Sequence, residues 1–226
     1  MKAFSKSIIF ILILCLSAVS VAHAKDSSVY ADKLNELGII IGTDNGYEPQ
    51  KTLTRAESTV VLVRLLGMED TVQSSQYEQK FTDVSHEHWA YKYIMFCYDN
   101  SITKGTGSDT FSPDMQIDAE QFITLLLRLM GYTNVSLDKT FDLAVEIQLL
   151  NSKTAQKMRD DLSFKRADMF YILYRSLKTQ MYNGTLFANH LADGGVISNE
   201  QAEEFDIYLD FENIDELIEE LLDGVN

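Results

Sequence analysis

The sequence predicts an all-α chain: three copies of one helix–loop–helix unit followed by a helical, acidic tail. Three observations predict it. First, a polar box followed by an apolar helix occurs three times, at 54–67 (TRAESTVVLVRLLG), 118–131 (DAEQFITLLLRLMG) and 165–178 (KRADMFYILYRSLK). Second, the spacing is constant. Pro49 and Pro113, Tyr47 and Phe111, Arg64 and Arg128, and Gly67 and Gly131 each stand 64 residues apart. Arg55 and Arg166, and Arg64 and Arg175, stand 111 apart. A fixed offset across a loop, a cap and a helix is the mark of internal repetition. Third, the alternation of a half-buried strand is nowhere sustained.

Residues 1–24 read as a secretory signal peptide rather than part of the fold. Lys2 and Lys6 precede the apolar run 8–16, and Ala22-His23-Ala24 is a small-residue cleavage site. Leu14 before Cys15 is too large for a lipoprotein signal. Cleavage removes two cations from a chain of formal net charge −15, which argues against nucleic acid and anionic membrane as partners. Cys97 is then the only cysteine, so no internal disulfide forms and packing carries the stability. No second apolar span is present, and the product is expected to be secreted without a membrane helix.

The units follow in order. Repeat 1, 29–67, opens with a helix that Gly38 stops. A loop with the turn signal Asp44-Asn45-Gly46 follows, and then Thr54 as N-cap with Glu57 three residues on, a capping box. The helix after it is apolar on most faces, which places it at the centre of a body. Residues 68–80 read as a polar linker.

Repeat 2, 81–131, should have Asp83 or Ser85 capping a helix through Asn100, with Trp89, Tyr93 and Ile94 inward. Asp118 and Gln121 replace Thr54 and Glu57 in its box, and Ala119 replaces Arg55. Repeat 3, 138–178, has a plain loop at 151–161 without glycine or proline. It keeps the box Arg166-Ala167-Asp168. The tail, 181–226, carries a short helix at 186–191, a break at Gly194-Gly195, and candidate capping boxes at Ser198/Gln201 and Asn213/Glu216. Its final helix, 214–222, is strongly acidic.

These motifs resemble those of the S-layer homology (SLH) repeat. Phe81, Asp83, Val84, His88, Trp89, Ala90, Phe111 and Pro113 match its pattern in repeat 2, and Thr54 to Glu57 supply its T-R-A-E in repeat 1. Repeat 3 is degenerate. The resemblance implies a pseudo-threefold prism with the long helices in a central bundle. It also implies grooves between repeats that bind secondary cell-wall polysaccharide, often through a pyruvylated amino sugar, and so tether the protein at the cell wall.

The implied chemistry is specific. A pyruvate ketal presents a carboxylate, which the planar fork of an arginine matches. Arg55 and Arg166 stand at N1 of their helices, where exposed N–H groups add positive potential. An indole suits the C–H face of a sugar, and Trp89 is the only tryptophan. The candidate ligand-binding residues are therefore Arg55, Arg166, Trp89, Thr54, Glu57 and Asp168. Each also has a structural reading: Thr54 and Glu57 as a cap, the arginines as ion-pair partners, Trp89 as core.

No catalytic residue, metal or cofactor is expected. His86-Glu87-His88 lacks metal-binding spacing on a helix, and no nucleophile motif is present. The stretch after Lys178 is expected to be too short for a catalytic domain. Arg64, Arg128 and Arg175 share one slot and read as snorkelling or paired residues. The competing reading is an SLH-fold scaffold that has lost its glycan and works through a protein partner held by the acidic tail.

Overall fold

The computed structural model describes residues 29–161 and 163–207, with the side chains of 206 and 207 excepted. The signal-peptide assignment, the Asn213/Glu216 box and the acidic helix at 214–222 lie outside them. Among the described residues the regular structure is helical, and only isolated β-bridges occur. None of these helices is long and apolar enough to cross a membrane.

The helices in chain order are α1 (29–36), α2 (Arg55–Leu65), α3 (Glu69–Ser74), α4 (Tyr91–Asp99) and α5 (Ala119–Leu129). A 3-10 turn, Leu137–Lys139, then leads into α6 (Thr140–Glu146). The rest are α7 (Ser152–Asp160), α8 (Arg166–Leu177), α9 (Phe187–Asp193) and α10 (Asn199–Ile207).

The long helices α2, α5 and α8 form the centre. In α2 the buried residues include Ala56, Ser58, Thr59, Leu62, Val63 and Leu65, which cover most of its circumference. The buried hydroxyls are satisfied locally, Thr59 Oγ1 donating to the Ala56 carbonyl at 2.8 Å, so polar side chains sit in the core without an orphaned donor. Thr54 Oγ1 accepts from the Glu57 N–H at 3.1 Å, and Glu57 accepts from the Thr54 N–H at 2.8 Å. The predicted capping box is therefore complete. Gly67 and Gly131 end α2 and α5 in the left-handed region, at φ 63° and 95°.

The three short first helices pack on the long helix of the preceding repeat. Thus α4 packs on α2, and α6 on α5. Tyr30 of α1 meets Tyr171 and Tyr174 of α8, at ring-centroid distances of 5.4 and 5.1 Å, which closes the circle. Each short helix turns out through a left-handed residue: Gly38, Ser101 and Gln148, at φ 73°, 60° and 61°. Each is followed by a reach-back bond, such as Ile39 N–H to Leu34 O and Ile102 N–H to Cys97 O.

Backbone seams tie the repeats in the same cyclic order. The Arg55 and Ala56 N–H groups donate to the carbonyls of Met115 and Pro113 in the loop of repeat 2, at 2.9 and 3.0 Å. Arg166 and Ala167 donate likewise to Lys51 and Pro49 of repeat 1. At the remaining seam α5 packs against α7, and Phe122 meets Phe164 at 5.2 Å.

Four expectations are corrected. Residues 68–80 contain a helix, α3, whose Val72 is buried. The loop 151–161 contains α7, capped by Asn151 Oδ1 accepting from the Thr154 N–H at 2.7 Å. The helix of repeat 2 starts only at Tyr91, after Ala90, so Asp83 does not cap it. Instead the Asp83 carboxylate accepts from the N–H groups of Phe111 and Ser112, at 2.9 and 2.7 Å, and pins the loop 28 residues ahead. Finally, Trp89 lies in the turn before that helix and is 60% exposed, not inward.

The predicted tail helix is α9, and Ser198 with Gln201 makes the reciprocal cap of α10. Phe205 against Tyr174 and Val196 against Gly67 hold this part of the tail on the repeats.

Candidate functional site

The two motif arginines begin equivalent helices yet meet different surroundings. Arg55 is 5% exposed. Its guanidinium lies 4.7 Å from the centroid of the Phe111 ring. Nε donates to the Phe111 carbonyl at 2.9 Å, and Nη1 donates to Gln121 Oε1 at 3.3 Å. Burial pushes its pKa down from the usual arginine value, and the charges of Asp118 and Asp83 offset part of that shift. Gln121 thus leaves the role of a capping-box partner and serves the neighbouring repeat. Only half of that cap remains, Asp118 Oδ1 accepting from the Gln121 N–H at 2.8 Å.

Arg166 occupies the seam between repeats 3 and 1. Its Nη1 donates to Glu48 at 3.1 Å and its Nη2 to Glu57 at 3.4 Å, with 17% of the side chain exposed. Glu48 sits in the left-handed region at φ 48°, as Ser112 does at φ 59° in the equivalent loop of repeat 2. Lys51 adds a longer contact to Glu48 at 3.9 Å. A small cleft of about 140 Å³ opens beside Arg166, walled by Tyr47, Glu57, Val61 and Phe170.

The structure therefore brings Glu57 and Arg166 together and holds Thr54 behind Glu57 through the cap. Arg55 points its contacts into the seam between repeats 1 and 2. Asp168 accepts from the Lys165 N–H at 2.9 Å, so it caps its own helix. Burial raises its pKa above the usual carboxylate value, and the backbone hydrogen bond partly counters this. Trp89 is remote in sequence from both arginines and stacks on His88, ring centroids 5.7 Å apart. Nitrogen Nδ1 of His88 accepts from the Ala90 N–H at 3.1 Å.

The helix N-termini at Arg55 and Arg166 are already hydrogen-bonded by neighbouring loop carbonyls. An anion at these seams would thus meet side-chain donors rather than free N–H groups of the first turn. Sequence reasoning missed Glu48, because a residue before a proline in a loop carries no pattern that announces an arginine partner 118 positions later.

The shared slot of Arg64, Arg128 and Arg175 is structural in all three copies. Arg64 makes two bonds to Glu69, at 3.0 and 2.9 Å. Arg128 donates to the Val135 carbonyl, and Arg175 to those of Leu149 and Gln148. Each arginine binds a segment beyond its own helix.

Comparison with known proteins agrees with this architecture. The family model for the S-layer homology domain matches residues 27–57 and 80–123. The chain is 26% identical over 164 residues to the Middle cell wall protein of Brevibacillus brevis, which covers 70% of this chain and 15% of that protein. It is 27% identical over 162 residues to the Cell surface protein of Thermoanaerobacter kivui, covering 70% of this chain and 21% of that one. It is 23% identical over 158 residues to the Cellulosome-anchoring protein of Acetivibrio thermocellus, covering 62% of this chain and 35% of that one. The chain thus spans about a third or less of the relatives it matches. Residues 138–178 fall outside both matched segments, yet α6 and α8 take the third place in the same ring. Repeat spacing, cyclic packing and motif match converge on the S-layer homology domain, which is what the chain is similar to over these two segments.

Proposed function

We propose that this protein is a non-catalytic anchor at the cell wall, holding a secondary wall polysaccharide at the seams between its repeats. The observation that carries the reading is similarity over 70% of the chain to proteins named for the cell wall and the cell surface. A Cellulosome-anchoring protein among the relatives supports the anchoring role. The ligand class in this reading is an anionic polysaccharide with a carboxylate group, such as a pyruvylated amino sugar.

The seam between repeats 3 and 1 is the favoured site. Arg166 is held by two carboxylates of repeat 1, and its side chain keeps some exposure beside a cleft. A ligand carboxylate would replace Glu48 on the guanidinium, while Glu57 stays fixed by the Thr54 N–H. Thr54 and Glu57 therefore act as supports, and Asp168 keeps the helix start in place. Arg55, nine-tenths and more buried, would contribute through positioning of the repeat 2 loop. Trp89 offers an exposed face for a second portion of the polymer.

The test is co-sedimentation with purified Gram-positive-type wall fragments, with and without their secondary polysaccharide. The parent chain should pellet only with the intact fragments. Arg166→Ala should weaken retention about tenfold or more, the worth of one charge-assisted pair. Failure of the parent to pellet would sink the anchoring role. Full retention of the variant would remove the seam between repeats 3 and 1.

A further inference from the structure

Away from these arginines, at the C-terminal ends of α5 and α8, lies a cleft of about 700 Å³. Tyr132, Gln148, Lys178, Gln180, Thr185 and Asn189 are among its walls. A second hollow of about 420 Å³ shares Tyr132 and Glu146 with it and adds Tyr182. Each falls in the size range of small-molecule sites. The cleft is framed by a tight turn. Gln180 and Leu186 form a β-bridge, Met181 donates to the Thr185 carbonyl at 2.8 Å, and Tyr132 Oη donates to the Gln180 carbonyl at 3.1 Å. The turn is docked on α5 through Tyr182 N–H to the Met130 carbonyl.

We infer that this cleft is a second site, one that binds a short uncharged oligosaccharide. Three features point to that ligand class. Amide side chains from three elements, Gln148, Gln180 and Asn189, each offer both donor and acceptor, which suits vicinal hydroxyls. Tyr182 is 74% exposed and stands edge-on to Tyr132, ring centroids 5.6 Å apart, so an aromatic face is open beside the polar wall. The charges balance locally, with Lys178 and Lys139 against Glu146 and Asp142, which favours no anion.

A backbone feature adds to this. Gln148 holds the left-handed exit that Gly38 holds in repeat 1. Glycine is the residue that adopts this conformation without strain, and strain of this kind gathers at functional sites. A glutamine there gives up stability and places an amide at the cleft. The inference is independent of the wall-anchoring reading, because none of these residues touches Arg166 or its partners.

Calorimetric titration of the chain with maltotriose, cellotriose and tri-N-acetylchitotriose tests it, with trigalacturonate as the charged control. At least one neutral trisaccharide should bind saturably and more tightly than the control. Gln148→Gly should raise the thermal midpoint yet weaken that binding about tenfold, and Tyr182→Ala should weaken it with the fold intact. Loss in either variant supports the site. Binding of no neutral trisaccharide, tighter binding of trigalacturonate, or undiminished binding by both variants overturns it. Arg166→Ala should keep trisaccharide binding, so failure here and failure of wall anchoring are told apart.

Discussion

Glu69 shows how a single side chain can join three elements. Its carboxylate accepts from Arg64 of α2 and from the Tyr93 hydroxyl of α4, the latter at 2.5 Å. The hydrogen bond with Arg64 is the main cause that pulls its pKa below the usual value, while burial opposes the shift. A carboxylate whose folded pKa is depressed stabilises the fold above its unfolded pKa and loses that contribution as the pH falls through the folded value. Glu69→Gln should therefore destabilise the chain at pH 7 by about 0.5–1 kcal/mol, the range for a partly exposed pair. The gap from the parent should close as the pH drops below about 4.5, as read by urea denaturation at several pH values. At this scale the sequence spoke clearly for Thr54 and Glu57, whose spacing is itself the chemistry. It was silent on Asp83 and Glu48, whose partners lie far along the chain. Trp89 was misread because the helix starts at Tyr91, two residues beyond it, and not directly after Asp83 or Ser85.

Among the elements, those with an apolar pattern were legible and those without one were not. The helices α2, α5 and α8 declare themselves through buried runs closed by a cap and, in two cases, a glycine. The helices α3 and α7 each bury one small apolar residue, Val72 and Ala155, so no periodicity marked them. Both are held by local caps or neighbours instead. The loops between helices are equally exacting. Gly105, at φ 81°, would place a Cβ 2.5 Å from the Thr110 carbonyl oxygen and 2.7 Å from the Phe81 ring. Gly105→Ala should cost about 2–4 kcal/mol, the sum of a left-handed penalty and overpacking against backbone. Gly38→Ala, with open space around its Cβ, should cost about 1–2 kcal/mol for the backbone alone. Denaturant midpoints of the two variants check the difference, and equal losses would refute the packing argument.

For the whole molecule, repetition was legible from spacing, and with it the number of units and the central place of the long helices. The exchange of short helices between neighbours was not, because an offset says that two segments are alike and not which one each will touch. That exchange has a thermodynamic signature. Each unit lends its first helix and its loop to the preceding neighbour and receives those of the following one, so none can unfold without exposing surface on two others. The described body should melt in one step, with far-ultraviolet and near-ultraviolet circular dichroism coincident and calorimetric and van't Hoff enthalpies equal. A transition split between probes would mean that the units are separable.

The closed order of α4 on α2, α6 on α5 and α1 on α8 also bears on how such a chain can change in evolution. An open solenoid gains a turn at its end and keeps every existing interface. A ring has no end, so a fourth copy would have to pry apart a finished joint before it could contribute one. Copy number is thus locked at three, and variation is channelled into individual seams, which can diverge singly as those of Arg55, Ala119 and Arg166 have done.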